Sequence, residues 1–118
     1  MGNPYQNELI KPDPRAFEAD INSVNATGAT GTQIVAAVTG KEHCIVAYHF
    51  AAANAGNYWL QDDAGTMITG KIPVPEDGHV SFQTSPLTPI VVATGKDIRI
   101  KTDAGAGQVG GVMTGYTK

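Results

Sequence analysis

The sequence has little of most features that mark a function. It holds one cysteine, Cys44, so no internal disulfide can staple it and no cysteine-rich metal site can form. No apolar run approaches the ~20 residues of a membrane-spanning helix, and the N-terminus lacks the charged-then-apolar order of a signal peptide. The expectation is a soluble, unexported chain with no membrane partner. Charge is also sparse, at 16% of residues against a usual ~25%, and the net charge is −3. The eight Lys and Arg residues are dispersed, so no basic stripe could follow a run of phosphates, and nucleic acid is not an expected partner. Leucine is nearly missing, with three residues, and 118 residues leave no room for a two-domain enzyme.

What the sequence does contain is β-branched. Ten Val, nine Ile and twelve Thr residues lose rotamer freedom in helices and pack well on a pleated sheet. Fourteen Gly and seven Pro add turns. The fold class implied is all-β.

Up to Gly31 neither a period of two nor of 3.6 stands out, and Pro4, Pro12 and Pro14 interrupt regular structure. Residues 1–31 therefore read as an arm and linker, with a short helical turn through Ala16, Phe17 and Ala19 started by Asp13-Pro14. Its scattered apolar anchors, Tyr5, Leu9, Ile10, Phe17 and Ile21, are the residues expected to contact a neighbouring subunit. Residues 32–118 read as a β domain of about eight strands separated by turn residues, a sandwich or barrel rather than a βαβ fold. The strands expected are 33–38, 43–52, 58–61, 66–69, 71–74, 79–83, 90–93, 97–101 and the closing run 109–117. Alternation in 43–52 places Cys44, Val46, Tyr48 and Phe50 on one face and Ile45, Ala47 and His49 on the other. The expected core is Ile45, Val46, Tyr48, Phe50, Phe82, Ile98 and Ile100. A core this small without disulfide or metal implies help from oligomerisation.

The motifs that suggest chemistry have simpler readings. Gly105, Gly107 and Gly110 match a dinucleotide fingerprint in spacing, but no helix pattern follows, and a glycine-rich hairpin is the better reading. Asp77, His79 and Ser81 would share a strand face about 7 Å apart, too far for a catalytic triad. His43, His49 and His79 follow no compact metal-ligand spacing. Asp62-Asp63 sits in an Asp-Ala-Gly turn, where an aspartate bonds its own backbone. Cys44 reads as a small buried hydrophobe, and Asn25-Ala26-Thr27 as a chance match to a glycosylation acceptor. Tyr58 and Trp59, the one aromatic pair, are either core residues or a stacking platform for a sugar. No catalytic residue, cofactor or metal is expected.

The run from Ile34 to Tyr48 resembles a segment of the small tailed-phage proteins that decorate virion heads. The similarity continues through 58–61, Thr66–Pro75, Gly95–Ile100 and Gly111–Tyr116, covering about residues 32 to 117. Glu76 and Asp77 stand where that family often has small apolar residues, and the stretch before Gly31 has no counterpart in it. The resemblance implies a jelly-roll domain, made in a host cytoplasm, that forms homotrimers on a virion surface as a cement protein bound to the major capsid protein. The competing expectation is a glycan-binding or adhesion module of a virion fibre, using Tyr58 and Trp59.

Overall fold

Turn glycines and β-branched runs divide the chain into strands, and a computed structural model describes residues 15–23, 31–104 and 107–118. Nine strands lie among them: β1 (Ala16–Ser23), β2 (Thr32–Val35), β3 (His43–Ala52), β4 (Gly56–Gln61), β5 (Ile72–Val74), β6 (Gly78–Gln83), β7 (Ile90–Val91), β8 (Ile98–Thr102) and β9 (Val109–Thr117). All pairings are antiparallel. One sheet runs β1-β9-β3-β6, with β7 also on β3, and the other runs β2-β8-β4-β5.

This order has a simple origin. The hairpin β4–β5 is flanked by β3 with β6, then β2 with β8, then β1 with β9, so each strand pairs with its counterpart in one long folded hairpin. Rolling that hairpin distributes successive pairs between two facing sheets, which is a jelly roll. The fold is all-β, as the composition implies.

The first strand corrects the boundary read from the sequence. Residues 16–23, assigned to the arm with a helical turn, pair along their whole length with β9, from Ala16 opposite Tyr116 to Ser23 opposite Val109. Phe17, Ala19 and Ile21 alternate with Glu18, Asp20 and Asn22, a period-two pattern set just after three prolines. Ile21 is fully buried in the core and Phe17 packs against it, so neither is an arm contact. Tyr5, Leu9 and Ile10 lie outside the described residues. The roll needs β1 as the mate of β9, and the domain accordingly starts before residue 32. The expected strand at 66–69 reduces to one bridge, Gln61 to Met67. There Asp62 Oδ1 accepts from the Ala64 and Thr66 amides, and Gly65, with φ of 85°, completes the turn.

The core lies between the sheets. Of the residues expected there, Ile45, Tyr48, Phe50, Ile98 and Ile100 are buried, and Phe82 is partly buried and stacks on Tyr48 at 5.2 Å. Val46 is the exception, because the register with β9 shifts between Ile45 and Ala47. That bulge lets Ile45, Tyr48 and Phe50 share the inner face, whereas strict alternation would place Ile45 opposite the other two. Val46 turns outward and lines a surface cavity. Tyr48, Phe50, Tyr58 and Phe82 form an aromatic chain across the interior, with centroids 5.2 to 6.4 Å apart. Burial of Tyr48 raises the pKa of its hydroxyl above the usual value.

Strand β9 sits between β1 and β3, and two inner-face glycines allow it to sit there. A Cβ on Gly111 would collide with the His49 carbonyl oxygen and lie 2.6 Å from Phe50 Cα, both backbone atoms of β3. A Cβ on Gly115 would meet the Cys44 carbonyl oxygen and lie 2.7 Å from Phe17 Cζ, so the Phe17 ring covers the space that this glycine leaves. Gly110, on the outer face, has nothing within 4 Å of such a Cβ. Gly111→Ala is therefore expected to destabilise the fold by about 2–3 kcal/mol through overpacking, while Gly110→Ala leaves the urea midpoint unchanged or slightly raised. Equal midpoints for the two variants would contradict this packing.

Candidate functional site

Two outer faces are available to partners, one on each sheet. The outer face of the β2-β8-β4-β5 sheet carries the side chains between the core positions of β4 and β8: Trp59 opposite Lys101, and Gln61 opposite Arg99. Lys71 Nζ and Lys101 Nζ lie 5.0 and 5.7 Å from the Trp59 ring centroid. The indole N–H donates to Gln61 Oε1 at 2.9 Å. Trp59 is 8% exposed, so the ring offers a ligand little surface.

Its sequence neighbour offers none. Tyr58 is fully buried, packs on Phe50 at 5.9 Å and donates its hydroxyl to the Asn54 carbonyl. Adjacent residues on a strand point to opposite sides, so the pair cannot form one stacking platform, which corrects the aromatic reading of Tyr58 as a ligand contact.

Along the same face the polar groups are mostly bound to one another. Asp97, 1% exposed, accepts at Oδ2 from Arg99 Nε at 2.8 Å and from Gln33 Nε2 at 2.9 Å. Its Oδ1 is buried without a partner among the described residues. Asp103 accepts from the Asn57 side-chain amide at 3.0 Å and from the Asn57 backbone N–H at 2.9 Å. The side-chain bond first, then the backbone bond, holds its carboxyl below the ordinary value of 3.8, with Lys71 assisting.

The outer face of the other sheet is built differently. Its middle carries Ala47, Ala51, Gly110, Val112 and Thr114 from β3 and β9, with exposed His49 opposite Val112. Its β1 edge carries exposed Glu18, Asp20 and Asn22, and its β6 edge carries exposed His79, Ser81 and Gln83. A shallow groove of about 480 Å³ runs across it. At one corner an apolar cavity of about 260 Å³ is lined by Ala16, Val46, Pro86, Thr114, Gly115 and Tyr116.

Above that corner stands the loop from Thr84 to Pro89. Thr84 Oγ1 bonds the Thr88 carbonyl at 2.9 Å, Ser85 Oγ accepts from the Leu87 amide at 3.1 Å, and Tyr116 donates its hydroxyl to the Pro86 carbonyl at 2.9 Å. The two prolines restrict φ further. This braced loop presents Leu87, 91% exposed, and Val91 nearby is 49% exposed. The sequence reading missed Leu87. The signal was Ser-Pro-Leu-Thr-Pro itself, a large apolar residue inside a turn whose neighbours hold it outward.

The residues weighed for chemistry are spread apart. His43 is buried, with its ring nitrogens 2.8 Å from Thr117 Oγ1 and from the Ala36 carbonyl, whereas His49 and His79 lie exposed on the outer face. Among the described residues, no group of three His, Cys, Asp or Glu could hold a metal. Asp77 occupies a turn at φ 56° and shares with His79 the lining of a surface groove that does not include Ser81. Cys44 is fully buried. Comparison of the chain with known protein families, with curated proteins and with solved structures finds no match.

Removing the Asp97 carboxylate leaves the Arg99 guanidinium and the Gln33 amide without their acceptor. Asp97→Ala is expected to lower stability by about 2–4 kcal/mol in urea unfolding, and a loss under ~0.5 kcal/mol would show that the cluster is dispensable. For Asp103 the sign follows from its lowered pKa. The ionised form is favoured by folding, so its contribution is complete above pH 3.8 and fades as pH falls through the lowered folded value. The difference in thermal midpoint between wild type and Asp103→Ala should be largest at neutral pH and shrink in acid; a constant difference would contradict it.

Proposed function

We propose that this chain is a structural virion protein that decorates a phage capsid as a homo-oligomer and stabilises it through contacts with the major capsid protein. The observation that carries the reading is the braced Leu87 loop beside an apolar cavity. An exposed leucine held in place by its loop lowers the ordering cost of a protein–protein contact. The sheet face beside it, with small residues around His49 and polar residues at its edges, suits docking against another protein surface. Jelly rolls serve both capsids and lectins, so the fold alone does not choose between them. The low exposure of Trp59 and the burial of Tyr58 weigh against the glycan-binding alternative.

The test is the particle from which the chain comes. Quantitative mass spectrometry of purified virions should find it in copy number comparable to the major capsid protein, and particles stripped of it should melt at lower temperature. Absence from the particle, or a handful of copies at a fibre, would overturn the proposal.

A further inference from the structure

We infer that the outer face of the β1-β9-β3-β6 sheet holds a binding site for a neutral sugar, in a groove at the end of the face away from Leu87. The groove has a volume of about 500 Å³, within the ~300–1,000 Å³ usual for small-molecule sites. It crosses the four strands along one row of the register: Asn22 on β1, Gly110 on β9, Ala51 on β3 and His79 on β6. Gln108, just before β9, and Asp77, just before β6, also line it.

Two of its positions hold residues that folding alone would not select. Gly110 is the one glycine in the described strands whose added Cβ would meet nothing within 4 Å, whereas Gly56, Gly78, Gly111 and Gly115 each have a neighbour closer than 3.0 Å. Its φ is not positive either. A side chain would fit there and a β-branched one would favour the strand, so neither packing nor backbone conformation asks for glycine. Asp77 is the converse. It is the one non-glycine among the described residues with a positive φ, in the turn that the Gly78 amide closes on the Pro75 carbonyl at 2.9 Å, where glycine carries the least strain. Both departures from local preference line the same groove, and such departures concentrate at functional sites.

The chemistry of the lining selects the ligand. With no side chain at Gly110 and single methyl groups at Ala51 and Ala53, the floor is flat and apolar, which suits the C–H face of a pyranose ring. Around it the Asn22 and Gln108 amides donate and accept, the Asp77 carboxylate accepts, and the His79 imidazole has one nitrogen of each kind when neutral. These four side chains are exposed and bond to no other side chain among the described residues. A sugar hydroxyl both donates and accepts, so adjacent hydroxyls use such a set in full. No Lys or Arg lines the groove, which disfavours a phosphate or carboxylate ligand. Strands β9 and β3 are each paired on both sides, so the floor offers no free edge to an added peptide strand.

This site is not the Tyr58–Trp59 pair, which belongs to the other sheet. It is also separate from the corner that carries Leu87. Ala51 lies about 16 Å along β3 from Val46, which walls the corner cavity, so a protein contact made by the Leu87 loop leaves the groove open. The inference goes beyond the decoration reading, and either can fail alone.

The test is an NMR titration of the full chain with neutral di- and trisaccharides of glucose, galactose, mannose and N-acetylglucosamine, up to about 10 mM. At least one of them should move the amide signals of Ala51, His79 and Gly110. Gly110→Val fills the floor, and Asp77→Gly removes the carboxylate from its strained position. Each should weaken binding of that sugar by about 10-fold or more while the urea midpoint stays the same or rises, a combination that loss of structure cannot produce. Lys71→Ala, beside Trp59 on the other sheet, should leave the affinity unchanged. No shift with any of these sugars, shifts confined to the Trp59 face, or wild-type affinity in both Gly110→Val and Asp77→Gly would overturn the inference.

Discussion

The seating of β9 between β1 and β3 is the constraint on which the rest of the structure depends. It requires the inner face of β9 to lack side chains at Gly111 and Gly115, where backbone atoms of β3 come too close for any Cβ. Once β9 is seated, β1 has a partner along its whole length, and Phe17 covers the space over Gly115. Ile21 then completes the core from the edge of the sheet. Without that seating the roll would lose its outermost pair of strands and expose Met113, Tyr48 and Phe50 at the break.

The bulge at Ile45–Ala47 is a second device with consequences on both surfaces. Inward, it brings Ile45 into line with Tyr48 and Phe50. Outward, it turns Val46 into the wall of the corner cavity, next to the loop that carries Leu87. One inserted residue thus serves both core packing and the shape of the exposed face, which is the common use of bulges in sheets. The faces differ in character for a related reason. On the β4–β8 face long side chains bind one another, as in Asp97 with Arg99 and Gln33, and Trp59 with two lysines. On the β3–β9 face small residues surround His49, and the other charged and amide side chains stand at the margins.

How much was legible in the sequence depends on the range over which each feature is decided. Strands β3 and β9 could be delimited to the residue, because their β-branched and aromatic runs are bounded by glycine-containing turns. Strand β1 carries the same alternation, but its proximity to three prolines and its acidic side chains obscured it. Trp59 and Tyr58 looked like one aromatic site because they are adjacent, and a strand separates adjacent side chains by putting them on opposite faces.

The sequence by itself determined the β class, the turn positions and most of the interior. Those follow from rotamer restriction, glycine and aspartate turn chemistry, and apolar alternation, which act over a few residues. Only the tertiary structure decided which strands became neighbours, where the register slipped, and which exposed residues came to share a face. Glu18 and Gln83 are far apart in the chain and at opposite edges of one sheet, a relation set by the rolling of the hairpin. The exposure of Leu87 was decided there too, because a hydroxyl from Tyr116 at the far end of the chain anchors its loop.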